Sequence, residues 1–189
     1  MPNLVKQIPE AMRQQGMSEE IMAQFHFPET NNAEEVMALI KQMDKLLSKD
    51  QCLLIMQEQG CCKTGIGPKA HHAFGQANKG KALEEKVSLL NEAQMQHKAP
   101  CRLNDDNTLS VYWGADDMKK RRCSCGFINK LPDSFEVPLT FCGCCGGHIR
   151  YNYQKSLGVK LRLKEVVSSS SNSNGKKRCE FLFDIMSST

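Results

Sequence analysis

Five cysteines and one histidine fall within 26 consecutive residues of this chain, and this clustering constrains its fold more than any other feature. The residues are Cys123, Cys125, Cys142, Cys144, Cys145 and His148. The cysteines form two short groups, each followed by glycine and separated by a loop. Such paired groups are the usual sign of a tetrahedral thiolate site. The cluster therefore predicts metal or thiol chemistry, and it requires a fold that brings the two groups together.

Length and composition limit the class of protein. With 189 residues and 40% hydrophobic content, the chain can bury a core without disulfides. It has no apolar run long enough to span a membrane, and residues 1–10 lack the apolar centre of a signal peptide. Ten cysteines without an export signal favour a reducing compartment, where clustered cysteines bind metals or react. We therefore expect a cytoplasmic protein with no membrane partner.

The net charge of +4 comes from an excess of basic residues after residue 100. The densest basic run, residues 119–122, lies directly before Cys123. It could form a patch for anions or nucleic acid, or a solvated turn. No aromatic residues alternate with the basic ones, which favours the turn. A zinc module that binds nucleic acid is therefore the least favoured alternative.

Apolar residues at helical spacing predict that the first half of the chain is mostly helical. Val36, Leu39, Ile40 and Met43, for example, form one apolar stripe. The predicted helices span residues 19–25, 34–47, 49–59, 81–94 and 146–157. The glycine-rich connection over residues 60–68 is predicted to be too irregular for a helix.

Alternating apolar residues predict strands in the second half. Strands are expected at residues 108–113, 159–166 and 179–185. The last two are predicted to pair as an antiparallel hairpin, joined by a serine-rich segment, residues 168–174, that is expected to be mobile. The predicted fold class is α+β, with amino-terminal helices followed by a helix and an antiparallel sheet. We expect a helical region at 1–60 and a cysteine-rich α+β region at 61–189, which together could form one continuous domain.

The cysteine spacing suggests a set of metal ligands. Zinc needs sulfurs that converge to about 2.3 Å from the ion. Cys123 and Cys125 lie on the same side of an extended segment, which predicts that both face the ion. A four-thiolate site would use these two, Cys142, and either Cys144 or Cys145. Zinc is the expected ion, although the one-residue spacing within a pair is shorter than usual. An iron–sulfur cluster is the lesser alternative, because the spacings match no common ferredoxin pattern.

The same cysteines permit an enzymatic interpretation. Cys145 precedes a predicted helix, whose amino-terminal dipole and amides would stabilise a thiolate. His148, three residues later, could act as its base. Alternatively, Cys144 and Cys145 are small buried residues and His148 is an exposed residue of the first turn. Metal ligation is favoured over either interpretation.

The remaining candidates carry weaker predictions. Cys61 and Cys62 could supply another ligand or lie buried in a turn. The adjacent His71 and His72 are predicted to be surface residues, because neighbouring side chains point apart. Two further cysteines, Cys52 and Cys179, are predicted to be core residues.

Three segments near the carboxyl terminus carry a family resemblance. They are residues 141–148, 155–163 and 175–181, the last with Gly175, Cys179 and Phe181 in the pattern Gly-x-x-x-Cys-x-Phe. The chain resembles a bacterial cysteine-rich family that is similar to L-2-amino-thiazoline-4-carboxylic acid hydrolase-like proteins and, more distantly, to vinyl-reductase-type small-molecule binding domains. The resemblance implies a helix-and-sheet domain of ligand-sensing type, with a small-molecule pocket and nearby cysteines that hold a metal. The serine-rich segment is longer than the short turn that the resemblance implies.

Two functions follow as hypotheses. The first is a cytoplasmic, zinc-binding protein that binds or senses a small molecule. The second is a cysteine- or metal-dependent hydrolase of small cyclic or amide substrates, with Cys145 and His148 as its catalytic residues. Whether the protein is an enzyme, and whether it forms a homodimer, stays open at this point.

Overall fold

A computed structural model of the protein describes residues 3–60, 66–95, 99–114, 123 and 125–186. Within these residues the helices are α1 (Leu4–Gln14), α2 (Glu19–Met22), α3 (Ala33–Leu46), α4 (Lys49–Gln57), α5 (Ile66–Ala77), α6 (Leu83–Glu92) and α7 (Gly143–Leu157), and the strands are β1 (Cys101–Leu103), β2 (Thr108–Trp113), β3 (Lys160–Ser168) and β4 (Cys179–Met186). Two short 3₁₀ helices lie at Ile128–Lys130 and Leu139–Cys142. The predicted α+β class is confirmed.

Side-chain caps define where the predicted helices start and end. The Asn32 side chain accepts the first free amides of α3, and Ser48 forms a capping box with Gln51 at the start of α4. Helix α7 ends at Gly158, whose φ of 70° is the left-handed conformation that suits glycine. These local signals explain why the sequence predicted these helices. The predicted start of α7 is wrong, however, because the helix begins at Gly143, so Cys145 lies within it and not before it.

Two helices were not predicted. Helix α1 carries Pro9 in its interior, yet it buries Leu4, Ile8 and Met12 along one face. Helix α5 begins at Ile66, inside the connection predicted to be too irregular for a helix, so that prediction is wrong. Pro68 lies in its first turn, where a helix does not need the missing amide.

The strands form one antiparallel sheet in the order β1-β2-β4-β3. The predicted hairpin of β3 and β4 is confirmed, with Leu163 opposite Phe183. Strand β2 pairs with β4 and places Trp113 opposite Cys179, while β1 was not predicted. Helix α7 covers one face of this sheet. Its residues share a buried cluster with those of the strands: Ile149, Tyr153, Leu157, Leu161, Leu163, Phe181 and Phe183.

A second buried cluster joins the amino-terminal helices to the segment before α7. It contains Ile8, Leu39 and Ile55 together with Phe127 and Phe141. Residues from both predicted regions, 1–60 and 61–189, therefore contribute to this core. In the described part of the chain, no helix is long and apolar enough to cross a membrane.

Glycines allow α7 to lie unusually close to its neighbours. A Cβ atom at Gly147 would overlap the backbone carbonyl of Gln57 in α4, and one at Gly75 in α5 would overlap the carbonyl of Lys155. A Cβ at Gly60 would lie 2.8 Å from the backbone carbonyl carbon of Gly147. Because backbone atoms meet backbone atoms at these crossings, α7 is held rigidly at the centre of the molecule.

We expect Tyr153→Phe to lower the free energy of unfolding by about 1–3 kcal/mol. The Tyr153 hydroxyl is buried in α7, accepts the Ala99 N–H at 2.9 Å and donates to the Ala99 carbonyl. Phenylalanine would leave both backbone groups of Ala99 without this partner. Urea denaturation measures the change. Tyr151→Phe is the control, because that hydroxyl is not fully buried and accepts a hydrogen bond from the flexible Lys155 Nζ, 2.9 Å away. Equal losses for the two variants would contradict the prediction.

Candidate functional site

Three of the clustered cysteines lie at the amino-terminal end of α7 and point to different surroundings. Cys142 caps the helix and Cys145 is its third residue, so the two share a face. Cys142 belongs to the buried cluster beneath the sheet, and Cys145 packs against that cluster. Cys144 belongs to the other cluster, and its Sγ donates to the Gln59 carbonyl at 3.3 Å. The structure thus separates Cys144 from Cys145, a choice that spacing had left open.

Four other thiols act electrostatically on that of Cys145. Cys145 is partly exposed as a residue, but burial of its thiol raises the pKa of that thiol well above the ordinary value. The neighbouring thiols raise this pKa further, in the order Cys125, Cys142, Cys123 and Cys179. Segments far apart in sequence therefore bring five thiols into one neighbourhood. We call these five residues the thiol cluster.

Burial and hydrogen bonds shift the pKa of the Cys142 thiol in opposite directions. The pKa of its thiol is raised to about 12, mainly by burial and also by the thiols of Cys179 and Cys123. The hydroxyls of Ser169 and Ser171 lower it, and Ser169 Oγ lies 3.1 Å from the Cys142 sulfur. Cys142 is therefore a protonated thiol near neutral pH unless a cation replaces its proton.

The first cysteine pair is joined by a local hydrogen bond. The Cys125 N–H donates to Cys123 Sγ over 3.4 Å, a contact that would stabilise negative charge on that sulfur. Cys123 is buried and Cys125 half-buried. Residues 115–122, which include the basic run, lie outside the described residues, as do Ser124, Cys61 and Cys62.

The five sulfurs of the thiol cluster are not arranged as a metal coordination sphere. Among the residues that the structure describes, no three His, Cys, Asp or Glu side chains are arranged to hold a metal ion. The donor chemistry nevertheless fits a soft divalent ion, because all five groups are sulfurs and two of them accept hydrogen bonds from backbone amides. To bind such an ion, the sulfurs would have to converge by side-chain rotation or by movement of the segment around Cys123.

His148 is buried, contrary to the alternative that it is an exposed residue of the first turn. It is 8% exposed, its ring meets the Trp113 ring edge-on at 5.7 Å between centroids, and its Nε2 lies 3.2 Å from Asn152 Nδ2. A nucleophilic cysteine needs a lowered pKa, whereas that of Cys145 is raised. This electrostatic setting disfavours Cys145 as a nucleophile.

The adjacent residues His71 and His72 differ in burial. His72 is exposed as predicted, but His71 is fully buried, so its prediction as a surface residue is wrong. His71 Nδ1 lies 2.7 Å from Ser156 Oγ, which links α5 to α7. The sequence missed this pair because it did not predict α5. The predicted burial of Cys52 and Cys179 is confirmed.

The serine-rich segment differs most from expectation. It was predicted to be mobile, yet Ser169, Ser170 and Ser171 are only 2–3% exposed and contact the sulfurs of Cys142 and Cys179. Composition gives no signal for this, because the same residues are typical of solvated loops.

An open groove lies against the segment that leads to Cys142. Its volume is about 380 Å³, and its lining residues are Lys41, Asp44, Glu136, Val137, Pro138, Leu139 and Asn172. It lies between α3, the segment that leads to Cys142, and the loop of the hairpin, so the strands alone do not frame it. Leu139 begins the 3₁₀ helix that ends at Cys142, and Asn172 follows the buried serines. The groove and the cluster therefore share two chain segments.

Comparison with known proteins yields no match among protein-family models, curated proteins or solved structures. The family resemblance stated from the sequence stays a prediction. The function must be argued from the residues of this chain.

Proposed function

We propose that this protein binds one metal ion, zinc by preference, through the thiolates of Cys125, Cys142 and Cys145 and a fourth sulfur that the spacing predicts to be Cys123. The observation that carries the proposal is the buried core that Cys142 and Cys145 share, with the thiols of Cys125 and Cys123 also acting on Cys145, whereas the Cys144 thiol donates to the Gln59 carbonyl. Five sulfur donors match the preference of zinc for soft ligands better than that of magnesium or calcium. We place the protein in the cytoplasm, where such thiols stay reduced.

Four protein sulfurs would leave no open coordination position, which favours a structural or regulatory ion over a catalytic one. A bound zinc ion would supply a crosslink between the segment around Cys123 and the start of α7. Helix α7 is packed closely against α4 and α5, so the ion would fix that segment to the most rigid part of the molecule.

The small-molecule part of the proposal rests on the groove. Lys41 supplies a positive charge and Asp44 and Glu136 negative charges, which suit a small polar ligand carrying both signs. A ligand there would contact the segment that ends at Cys142 and the loop that contacts its sulfur. We therefore propose that ligand binding and metal binding influence each other.

Metal analysis and thiol titration test the proposal. For protein purified without oxygen, we expect one zinc per chain by elemental analysis and four additional reactive thiols after chelation. A metal-free protein with one fast-reacting thiol would overturn the proposal and favour the cysteine hydrolase instead.

The adjacent cysteines provide a matched pair of variants. We expect Cys145→Ser to weaken zinc binding by at least about 100-fold, since even outer-shell changes cost about 10–100-fold. Cys144→Ser should bind zinc like the unchanged protein, because the Cys144 thiol donates to the Gln59 carbonyl, a bond that a serine hydroxyl can also make. Competition with a chromophoric chelator measures both affinities, and equal losses would contradict the assignment of Cys145.

A further inference from the structure

Cys142 and Cys145 lie one helical turn apart at the start of α7. Cys142 ends the 3₁₀ helix Leu139–Cys142 and caps α7, and Cys145 is the third residue of α7. Two cysteines separated by two residues form the Cys-x-x-Cys pattern, which is typical of dithiols that are oxidised and reduced reversibly. Cys142 belongs to the buried cluster beneath the sheet, and Cys145 packs against it. The two thiols are therefore neighbours on one side of their helix.

The backbone between these two residues has the geometry that a disulfide across one turn needs. Residues three apart in an α-helix have Cβ atoms about 5–6 Å apart, and a disulfide needs about 3.5–4.5 Å. In a 3₁₀ turn the side chains of such residues are eclipsed, which brings them closer. Gly143 lies between the two cysteines, and its φ of −55° and ψ of −27° are values typical of a 3₁₀ helix. A small tightening of this turn would therefore bring the two sulfurs to bonding distance.

Cys144 is not positioned to replace either member of this pair. Its thiol donates to the Gln59 carbonyl at 3.3 Å. Adjacent residues of a helix point about 100° apart around its axis, so Cys144 lies off the side that Cys142 and Cys145 share. Of the three cysteines between residues 142 and 145, only the first and the last are placed to bond with each other.

The serine-rich loop stays hydrogen-bonded whether or not the Cys142 sulfur carries a proton. Ser169 Oγ lies 3.1 Å from Cys142 Sγ and 2.6 Å from Ser171 Oγ, and the Ser171 N–H donates to Ser169 Oγ at 3.2 Å. A disulfide sulfur has no proton to donate, and burying a hydroxyl without a partner costs free energy. Because Ser169 and Ser171 also bond to each other, oxidation of Cys142 would leave neither hydroxyl without a partner.

We propose that Cys142 and Cys145 form a reversible disulfide across the first turn of α7, with a small-molecule disulfide of the glutathione type as the oxidant. Cys145, the more exposed residue, reacts first: its sulfur loses its proton and attacks one sulfur of the oxidant. The S–S bond of the oxidant breaks, a mixed disulfide forms, and one small thiol leaves with the proton. The Cys142 sulfur then loses its proton and attacks Cys145 Sγ, and the second small thiol leaves with that proton. Two protein thiols are oxidised to one disulfide, and one small disulfide is reduced to two thiols.

The disulfide would also regulate metal binding, a consequence that rests on the metal-binding function proposed above. The thiolate is the form of cysteine that binds a metal ion. Oxidation would remove the thiolates of Cys142 and Cys145 from the proposed ligand set, and reduction would restore both. The redox state of this one turn would then determine whether the protein can hold zinc.

Equilibration of the full, metal-free chain with oxidised glutathione tests the disulfide. The exchange must run to equilibrium, because the raised pKa values of both thiols slow it. Remaining thiols are then blocked with N-ethylmaleimide under denaturing conditions, and cleavage after Lys130 and Arg150 releases one peptide with Cys142, Cys144 and Cys145. We expect this peptide to carry one label instead of three and to have lost two hydrogen atoms. Three labels on the peptide from the oxidised protein would overturn the proposal.

Three serine variants identify the bonded pair. Cys144→Ser should still form the disulfide, so that its peptide takes up no label. Cys142→Ser and Cys145→Ser should each leave both remaining cysteines of the peptide labelled. If Cys145→Ser still protects Cys142 from the label, Cys142 bonds to a different cysteine and the assigned pair is wrong.

Zinc affinity of the oxidised and reduced chains separates this inference from the proposed function. We expect oxidation to weaken zinc binding by at least about 100-fold, and dithiothreitol followed by its removal to restore it. If the disulfide forms and neither state binds zinc, metal binding is wrong and the disulfide stands. If the reduced protein binds zinc but no disulfide forms, the disulfide is wrong and the proposed function stands. Equal zinc affinities in the two states would overturn the regulation.

Discussion

Gly147→Ala is expected to destabilise the protein by about 3 kcal/mol, at the upper end of overpacking effects. Alanine normally stabilises a helix by about 1 kcal/mol relative to glycine. At this position, however, its Cβ would overlap the Gln57 carbonyl, a backbone atom of α4 that cannot rotate away. The two helices would have to separate, which would also disturb the start of α7 and the thiol cluster. Urea denaturation followed by circular dichroism measures the loss.

The adjacent glycine supplies the matched control. A Cβ at Gly146 would meet the end of the Leu163 side chain at 2.7 Å, and that side chain can adjust. We therefore expect Gly146→Ala to be clearly less destabilising than Gly147→Ala. Gly75→Ala should resemble Gly147→Ala, because its Cβ would overlap the Lys155 carbonyl. If Gly147→Ala is as stable as Gly146→Ala, α4 and α7 do not cross as closely as described.

Zinc is expected to raise the free energy of unfolding by about 4 kcal/mol when its free concentration is about 1,000 times its dissociation constant. The proposed ion would bind the folded protein, in which the thiols are gathered, in preference to the dispersed thiols of the unfolded chain. Binding must displace protons from Cys142 and Cys145, whose pKa values are raised. Zinc affinity should therefore rise with pH. Thermal unfolding in the presence of a reductant, with and without zinc, measures the effect.

Two cysteine variants and a second metal ion show whether the stabilisation comes from zinc bound at the thiol cluster. Cys145→Ser should lose the stabilisation by zinc, whereas Cys144→Ser should keep it. Magnesium should have no effect, because it prefers oxygen ligands. An unfolding temperature that zinc does not change in the unchanged protein would contradict metal binding.

Local patterns located those parts of the fold whose signals lie within one element. The cap at Asn32, the glycine at 158 and the alternation that leads into Phe181 and Phe183 each depend on nearby residues only. The same approach missed α5, because its glycines and Pro68 are poor local signals for a helix. Gly75 of α5 is explained only by the close approach of α7.

The candidate site shows the same difference between features that local patterns predict and features that depend on long-range packing. Spacing indicated a thiolate cluster and included Cys145 among its members, but it could not choose between Cys144 and Cys145. That choice depends on which core each side of α7 faces, and so on how α7 packs against α4 and the sheet. Burial of His71 depends in the same way on a neighbouring helix.

The sequence by itself determined the α+β class, the hairpin of β3 and β4, and the concentration of thiols before and within α7, because each follows from the period or spacing of adjacent residues. Only the tertiary structure decided that Cys144 and Cys145 face different cores, that Cys179 shares a core with Cys142 and Cys145, and that three serines of the hairpin loop lie buried against the sulfurs of Cys142 and Cys179. The physical reason is that a residue pattern defines a face of its own helix or strand, whereas the partner of that face is set by long-range packing.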